Sequence, residues 1–309
     1  MRPSDIHRQR HAAILAARPE VRELSGNCPQ VVPLIATLVA VQCAVAVAVA
    51  GWPLAYALAA AVLFGAFVAH FLNGCIHEAA HNLILSGSAR NKAVAILANL
   101  PAVAPSAMAF RHYHLLHHGF HGEPGMDADL PLAWEVNLVG SSNWRKLLWL
   151  AFLPLFYGVF HPVVVRKRFP LDRWLVANVV IVVGFAAAML TVFGWSSFVY
   201  LAVSTYFAVG PHPTGAHILQ EHVIFAGEDY ETASYYGPLN ATSLNLGHHV
   251  EHHDFPGVPG LRLGRLKKMA PEFYDGRYAH ASRLATLWQF VCDPRASLDR
   301  RMMVTGGSR

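Results

Sequence analysis

Charged residues are scarce in this sequence. Only 14% of its 309 residues are Asp, Glu, Lys or Arg, whereas 54% are hydrophobic. Soluble domains usually contain about 25% charged residues, so this composition excludes an ordinary soluble domain and indicates a membrane protein. The net charge is +5, but the basic residues are not interleaved with aromatic residues in the pattern that is typical of nucleic-acid binding. We therefore expect no nucleic-acid partner and assign the excess charge to the membrane surface.

Cysteines and targeting signals are also sparse. The four cysteines form no C-x-x-C pair and imply no disulfide framework; they are Cys28, Cys43, Cys75 and Cys292. Residues 1–30 are polar and basic and lack the apolar region of a cleaved signal peptide, and Arg2 excludes N-myristoylation. We predict a cytosolic N-terminal segment over residues 1–30. It contains either an amphipathic helix on the membrane surface or a plain soluble helix.

Long apolar runs are abundant by contrast. Four of them are long enough for membrane helices and form two hairpins, with one short turn at Gly51-Trp52-Pro53 and the other at Gly194-Trp195. The predicted spans are 31–50, 54–72, 174–193 and 196–211. Two further apolar runs, 94–110 and 147–165, are interrupted by prolines and predict re-entrant or interfacial helices.

These runs predict the fold class and the domain organisation. We expect one all-α integral membrane domain over residues 1–309, with four transmembrane helices in two hairpins, interfacial helices and a cytosolic histidine-rich cap. After the N-terminal segment, the expected parts are the first hairpin (31–72), a cytosolic and interfacial region (73–173), the second hairpin (174–211) and a cytosolic C-terminal region (212–309). The two short turns contain no Lys or Arg, so the positive-inside rule places both termini in the cytosol.

Histidine is unusually frequent and clustered. Three of the clusters have spacings that place the rings on one face of a helix: His77 and His81; His114, His117 and His118; His249, His252 and His253. Eight buried neutral imidazoles without partners would be costly, so we predict a metal site. Eight ligands are too many for one tetrahedral zinc ion, which indicates two ions on the cytosolic side. Imidazole suits iron, copper, nickel and zinc, so ligand type leaves the metal open.

The clusters also support a resemblance to a known family. HEAAH, HLLHH and HVEHH, in this order around two membrane hairpins, resemble the three histidine boxes of membrane fatty-acyl desaturases and hydroxylases. FRHYHLLHH, ETASYYGPLN, EHHDFPGVPG and the opening RQRHAAILAARPEVREL are similar to the sphingolipid Δ4-desaturase (dihydroceramide desaturase) branch. The resemblance covers about residues 7 to 293.

This resemblance implies an oxidoreductase with two iron ions and O₂ as co-substrate. Two hydrogens would leave an unactivated chain of a dihydroceramide-like lipid, and O₂ would be reduced to water with two electrons. Only a short polar segment precedes the first span, so we expect a separate electron donor, cytochrome b5-like or ferredoxin-like. The membrane would be the endoplasmic reticulum in a eukaryote and the plasma membrane in a bacterium.

The resemblance also implies the metal ligands. They would be His77, His81, His114, His117, His118, His249, His252 and His253, with His222 as the ninth and His217 as the alternative to it. Five acidic residues could accept a hydrogen bond from the second ring nitrogen of a ligand: Glu78, Asp127, Asp129, Glu251 and Asp254. His112, His121 and His248 are expected beside the ligands, whereas His7, His70, His161 and His280 are expected to have no role in the site. Tyr235 and Tyr236 could line the substrate path, although packing is the commoner role.

Three other functions compete with this one. Hydroxylation at C4, or desaturation of another acyl chain, would use the same site. A membrane zinc amidase acting on lipids would need only about three protein ligands, so eight histidines argue against it. A metal transporter would place its ligands near the middle of the bilayer, whereas these clusters follow the helices.

Overall fold

The computed structural model describes residues 3–225 and 232–301. Sixteen α-helices lie in these ranges: α1 (Pro3–Ala17), α2 (Val31–Ala48), α3 (Leu54–Ala60), α4 (Ala66–Ala80), α5 (Ser88–Asn99), α6 (Ala107–Phe120), α7 (Ala133–Val139), α8 (Asn143–Leu155), α9 (His161–Val164), α10 (Arg173–Phe193), α11 (Trp195–Val209), α12 (His217–His222), α13 (His249–Asp254), α14 (Gly260–Met269), α15 (Pro271–Tyr274) and α16 (Arg283–Cys292). Two parallel strands, β1 (Ser234–Tyr235) and β2 (Ala279–His280), are the only sheet among the described residues.

Short helical segments of other kinds connect several α-helices. Turns of 3₁₀ helix lie at Pro19–Leu24, Val49–Gly51, Leu100–Ala102, Pro238–Ser243 and Leu298–Arg301. Two π-helical segments, Ala61–Gly65 and Phe156–Phe160, join α3 to α4 and α8 to α9. These joints let the long helices continue without a break.

The first predicted hairpin is present and is longer than expected. Val31–Gly51 has 21 residues and Leu54–Ala80 has 27, and both are apolar enough to cross a membrane. The second helix runs eight residues beyond its predicted end at residue 72, because its polar last turns are buried inside the protein. His77 therefore lies in the last turn of this candidate membrane helix, and His81 directly follows it.

The second hairpin consists of α10 and α11, which meet at Gly194. Asp172 caps α10 by accepting hydrogen bonds from the backbone N–H groups of Trp174 and Leu175, both at 3.0 Å. α10 has 21 residues, whereas α11 has only 15, fewer than the roughly 20 that a perpendicular span needs. α11 packs tightly against Leu54–Ala80, because Gly65 leaves room for Ser204; a Cβ at Gly65 would lie 2.0 Å from the Ser204 hydroxyl oxygen.

A fourth long apolar helix lies where prolines had predicted an interruption. Asn143–Val164 has 22 residues and is apolar enough to span a membrane. Pro154 lies inside the helix, where it removes one backbone hydrogen bond, and a π-helical segment begins two residues later. Pro162 occupies the first turn of α9. The structure therefore has four candidate spans, as predicted, but this helix replaces α11 among them.

The other proline-rich run bends as predicted. Ser88–Ala102 and Ala107–Phe120 are apolar together but meet at an angle of 118°, which is the geometry of a broken span or a re-entrant loop. The second half of this pair is α6, which carries the second histidine box. The bend brings α6 back against α4.

The N-terminal helix has one buried face. Its buried residues include His7, Arg10 and Ile14, which recur at helical spacing. This face contacts α13 and α6, so it faces protein. The N-terminal helix thus takes part in the region where the second and third histidine boxes meet.

The burial of His280, in β2, can be tested through the pH dependence of stability. Burial lowers the pKa of His280 to about 4. In the unfolded chain the His280 imidazole binds a proton near pH 6.5, whereas in the folded chain it binds one only near pH 4. The free energy of unfolding therefore decreases as the pH falls between these values. Replacing His280 by Gln should remove roughly 2 kcal/mol of the loss between pH 7 and pH 5. Equilibrium unfolding in detergent at both pH values measures this; an unchanged pH dependence would contradict it.

Candidate metal centre

The three histidine boxes lie at helix ends and on short helices. His77 is in the last turn of α4 and His81 directly follows that helix. α6 carries the second box along one face. α13 carries the third box, and all six of its residues are buried. The i, i+3 and i+4 spacing therefore directs the rings of each box to one side, as predicted.

One group contains five histidines. One ring nitrogen from each lies within 4.8 Å of the corresponding atom of every other; the members are His77, His81, His114, His118 and His252. The closest pairs of Nε2 atoms are His81 with His114 at 2.9 Å, His118 with His252 at 3.0 Å and His114 with His118 at 3.1 Å.

These spacings fit a metal ion better than hydrogen bonds. Two nitrogens that bind one ion at about 2.1 Å and at right angles lie about 3.0 Å apart. A neutral Nε2 has either one hydrogen or one lone pair. The Nε2 atom of His114, which faces those of both His81 and His118, therefore cannot form a good hydrogen bond with each of them. His77 has no hydrogen-bond partner at either ring nitrogen among the described residues. The donor set therefore fits an ion, and imidazole ligands suit iron as well as zinc, copper and nickel.

A second group lies beside the first. His117, His222 and His253 offer ring nitrogens within 4.8 Å of one another. His222 and His249 offer ring nitrogens that lie within the same distance of each other and of a Glu221 carboxylate oxygen. The Nε2 atom of His249 lies 3.2 Å from that of His222 and 3.1 Å from that of His253. The other four expected ligands thus lie in two overlapping sets that share His222, and together they are called the second group: His117, His222, His249 and His253.

His217, the alternative ninth residue, is outside both groups. Its Nδ1 donates to the Thr214 carbonyl oxygen at 2.9 Å, and its ring lies 4.8 Å from the ring of His70. The position of His222, one turn later on α12, is the one that meets the third box.

The histidines of the site are held uncharged. Burial, followed by neighbouring histidines, lowers the pKa values of His249, His252 and His253 well below the ordinary value. Burial, Arg111 and His117 lower the pKa of His81 to about 3. These rings are neutral at pH 7, so each has a lone pair for a metal ion.

Asp127 fixes one of these rings. Its Oδ1 accepts a hydrogen bond from His117 Nδ1 at 2.9 Å, and its Oδ2 accepts from the Gly122 N–H at 2.8 Å. Burial opposes ionisation of Asp127, but His117 and these hydrogen bonds lower its pKa below the ordinary value. The Asp129 carboxylate is 3.6 Å from His117 Nδ1, too far for a hydrogen bond. Of these two residues, only Asp127 has the predicted contact.

The two glutamates hold helices rather than ligands. Glu78 accepts from the Gly260 N–H at 2.9 Å and lies 3.8 Å from His77 Nδ1, so it joins α4 to α14. Glu251 accepts from the Ser234 hydroxyl at 2.7 Å and the Tyr236 hydroxyl at 2.8 Å.

Glu251 also lies 3.3 Å from the Nδ1 atom of His248, which stands outside both groups. Tyr235 is buried beneath Arg283, 5.0 Å from the guanidinium to the ring centre, and its hydroxyl accepts from the Leu239 N–H at 3.1 Å. The contacts of these tyrosines are with the protein itself.

The remaining histidines differ in their distance from the groups. His121 lies 4.7 Å from the rings of both His117 and His222, beside the second group as expected. His112 contacts Tyr113 and Phe169 on the outer side of α6 instead.

His161 is bound to Glu135 and the Ala128 carbonyl, and His280 lies 3.1 Å from the Thr286 hydroxyl; neither belongs to a group. His70 lies 3.0 Å from the Arg283 guanidinium.

Two neighbours of the site were missed from the sequence. His7, expected to have no role, lies against His253, and its Nδ1 is 2.7 Å from the Asp254 carboxylate. Glu221 lies 3.3 Å from His249 Nδ1. No helical spacing links His7 to Asp254, 247 residues away, so no local pattern reveals their contact.

Comparisons with known proteins agree with this site. Residues 31–284 match the family described as fatty acid desaturase. The chain is 35% identical over 290 residues to "Sphingolipid delta(4)-desaturase DES1" of Drosophila melanogaster, covering 93% of this chain and 89% of that protein. It is 38% identical over 287 residues to "Sphingolipid delta(4)-desaturase/C4-monooxygenase DES2" of Homo sapiens, covering 92% and 88%. It is 36% identical over 290 residues to "Putative sphingolipid delta(4)-desaturase/C4-monooxygenase" of Caenorhabditis elegans, covering 93% and 79%.

The contrast between Asp127 and Asp129 gives a matched test. Replacing Asp127 by Asn removes the charged acceptor of His117, and contacts of this kind typically change metal affinity about 10- to 100-fold. We expect Asp127→Asn to lose metal to a chelator at correspondingly lower concentration, measured as metal per chain by mass spectrometry. Asp129→Asn should retain metal like the wild type. Equal retention by both variants would show that the Asp127 contact does not support a metal ligand.

Proposed function

Because the chain belongs to the fatty acid desaturase family, we propose that it introduces a Δ4 double bond into the sphingoid chain of a dihydroceramide-like lipid. The observation that carries this proposal is the convergence of nine histidines, in groups of five and four, around long apolar helices. The names of the relatives supply the substrate class. As a family member, the protein is an oxidoreductase of a multi-pass membrane type.

The proposed centre holds two iron ions. The first would bind the group formed by His77, His81, His114, His118 and His252, and the second the group formed by His117, His222, His249 and His253. Bound iron would supply the activation of O₂ that removal of hydrogen from an unactivated C–H bond requires. A zinc amidase would need only about three protein ligands. Most of these nine histidines would then have no role, which argues against that function.

The protein's own residues position the ligands and exclude water. His252 has no exposed surface, and Val250 beside it is 1% exposed. The Phe110 ring stacks on His114 at 4.9 Å, which covers the first group on one side. A dry, preorganised site would protect a reactive centre from side reactions with water. The substrate chain would reach it from the bilayer, along the apolar helices that end at the boxes.

Hydroxylation at C4 is the second candidate. The human relative is named for both Δ4 desaturation and C4 monooxygenation. Both reactions would start with hydrogen removal at the same site, and they differ in whether a second hydrogen leaves or oxygen is added. The same histidines would serve either outcome.

We propose that the site faces the cytosol and receives electrons from a separate acidic carrier, cytochrome b5-like or ferredoxin-like. A surface groove of about 310 Å³ lies on the outer side of α6, whose inner side carries the second box. It combines three basic residues (Lys92, Arg111 and Lys167) and one acidic residue, Asp172, with apolar ones that include Leu116 and Phe169. Asp172 lies 3.3 Å from the Lys92 ammonium group, so the groove keeps a net positive charge. An acidic carrier docked there would lie within about one helix diameter, roughly 10 Å, of the second box.

The first test is lipid profiling of membranes that contain the protein, a dihydroceramide and a reductant system. Mass spectrometry should show a product lighter by two hydrogen atoms. This product should vanish in His252→Ala, which removes a member of the first group. It should persist in His161→Gln, which alters a buried histidine outside both groups.

Other outcomes of this test separate the alternatives. A product heavier by one oxygen atom would identify the hydroxylase. Purified protein without iron would refute the proposed metal centre. Bound iron without any lipid product would refute the proposed substrate or the reductant.

A charge reversal tests the groove. Lys167 is exposed, so Lys167→Glu should leave the fold intact but repel an acidic carrier. We expect the carrier-dependent rate to fall about tenfold at low ionic strength and the difference to shrink in high salt. A small neutral chemical reductant should support equal rates in variant and wild type. Arg22→Glu makes the same change at another exposed site; an equal loss there would mean that charge acts without a specific groove.

A further inference from the structure

The N-terminal helix α1 lies outside the part of the chain that matches the family, which begins at residue 31. Its buried face nevertheless contacts the third histidine box on α13. His7 is 4% exposed and Arg10 is 9% exposed, values typical of interior side chains. Polar groups buried to this extent need partners. The nature of these partners indicates what α1 contributes.

Asp254 is the main partner of this face. It follows His253 directly in the sequence and is 2% exposed. Its Oδ1 lies 2.7 Å from His7 Nδ1, and its Oδ2 accepts from Arg10 Nε at 2.6 Å. The backbone oxygen of Asp254 lies 2.8 Å from His11 Nδ1, so this nitrogen donates to it. α1 therefore binds the end of α13 at the residue beside a proposed metal ligand.

The contact with Asp254 uses Nδ1 and leaves the other ring nitrogen of His7, Nε2, available. His7 Nδ1 has two neighbours, the Asp254 carboxylate at 2.7 Å and Arg10 Nη2 at 3.1 Å. The carboxylate is the closer, and it favours the tautomer in which Nδ1 carries the proton and Nε2 has a lone pair. His7 Nε2 is buried and has no hydrogen-bond partner among the described residues. His7, His121 and His253 offer ligand atoms within 4.8 Å of one another, so His7 meets this distance criterion with one member of the second group, His253.

The ring spacing agrees with this placement. The His7 and His253 rings are 4.9 Å apart. Pairs within the second group have similar separations: 4.6 Å between His249 and His253, and 5.0 Å between His222 and His249. His7 is therefore as close to His253 as the group members are to one another.

The arrangement repeats one already present in the site. Asp127 holds His117 through Nδ1 at 2.9 Å and leaves His117 Nε2 to the second group. Asp254 holds His7 through Nδ1 at 2.7 Å in the same way. A carboxylate on the outer nitrogen is the usual support of a histidine that binds metal through the inner one.

We propose that His7 is an additional imidazole ligand of the second ion, supplied by the N-terminal helix and oriented by Asp254. It rests on the metal centre proposed above and extends its second group from four histidines to five. Arg10 is a positioning residue that holds the other oxygen of Asp254. The metal centre therefore includes residues from a helix outside the matched family region.

Iron retention and chemical rescue test this assignment. Full-length wild type, His7→Gly and Arg8→Gly would be purified in detergent, loaded with iron and dialysed against a graded chelator. Arg8 lies on the same helix and its side chain is 67% exposed. Arg8→Gly therefore reproduces the loss of helix stability that glycine causes in His7→Gly, without removing a buried histidine. We expect about two irons per chain in wild type and in Arg8→Gly, and about one in His7→Gly.

Free imidazole should distinguish a ligand from a structural contact. Glycine at position 7 leaves space for imidazole, which should restore the second iron and the wild-type Mössbauer spectrum. Retention of both irons by His7→Gly as tightly as by Arg8→Gly would overturn the assignment. Loss of iron that imidazole does not restore would also overturn it. If wild type itself holds one iron or none, the proposed metal centre is wrong and this inference fails with it.

Discussion

The burial of uncharged imidazoles is the constraint on which the rest of this structure depends. Several Nε2 atoms have two Nε2 neighbours at 2.9 to 3.2 Å. Each neutral Nε2 can donate or accept only one good hydrogen bond, so hydrogen bonds among the rings cannot satisfy all of them. Burial also keeps these rings unprotonated, since it lowers the pKa of His252 and of its neighbours. Cations that accept several lone pairs at once resolve this conflict. The long helices, the short α13 and the surrounding carboxylates then serve to keep these rings in place.

The support of the site is divided between two kinds of contact. Asp127 acts on a ring directly, through His117. Glu78 and Glu251 act on the backbone and on neighbouring elements, since one joins α4 to α14 and the other receives Ser234 and Tyr236. Ser234 in turn accepts from the Val250 N–H at 3.0 Å, which fixes the start of α13. Ring orientation and helix position are thus set by different acidic residues.

The histidine boxes could be predicted from sequence because i, i+3 and i+4 spacing is a local property of a helix, and the desaturase family is confirmed by the match over residues 31–284. The apolar helices were predictable from composition, but not the passage of a helix through Pro154 or the π-helical segment that follows it. The choice of His222 over His217 required the position of α12 relative to the third box. The contact of His7 with Asp254 joins opposite ends of the chain, so it had no local signal.

The third box contributes to both groups, with His252 in the first and His249 and His253 in the second. A ribosome makes this box after all the long apolar helices, so the first ligand set is complete only when residue 252 has emerged and the second only when residue 253 has. Iron would therefore enter a chain whose membrane helices have already been synthesised. Helix α1 is made before the membrane helices, yet its carboxylate partner at position 254 is among the last parts of the site to appear. A segment that is translated early is thus among the last to reach its final place.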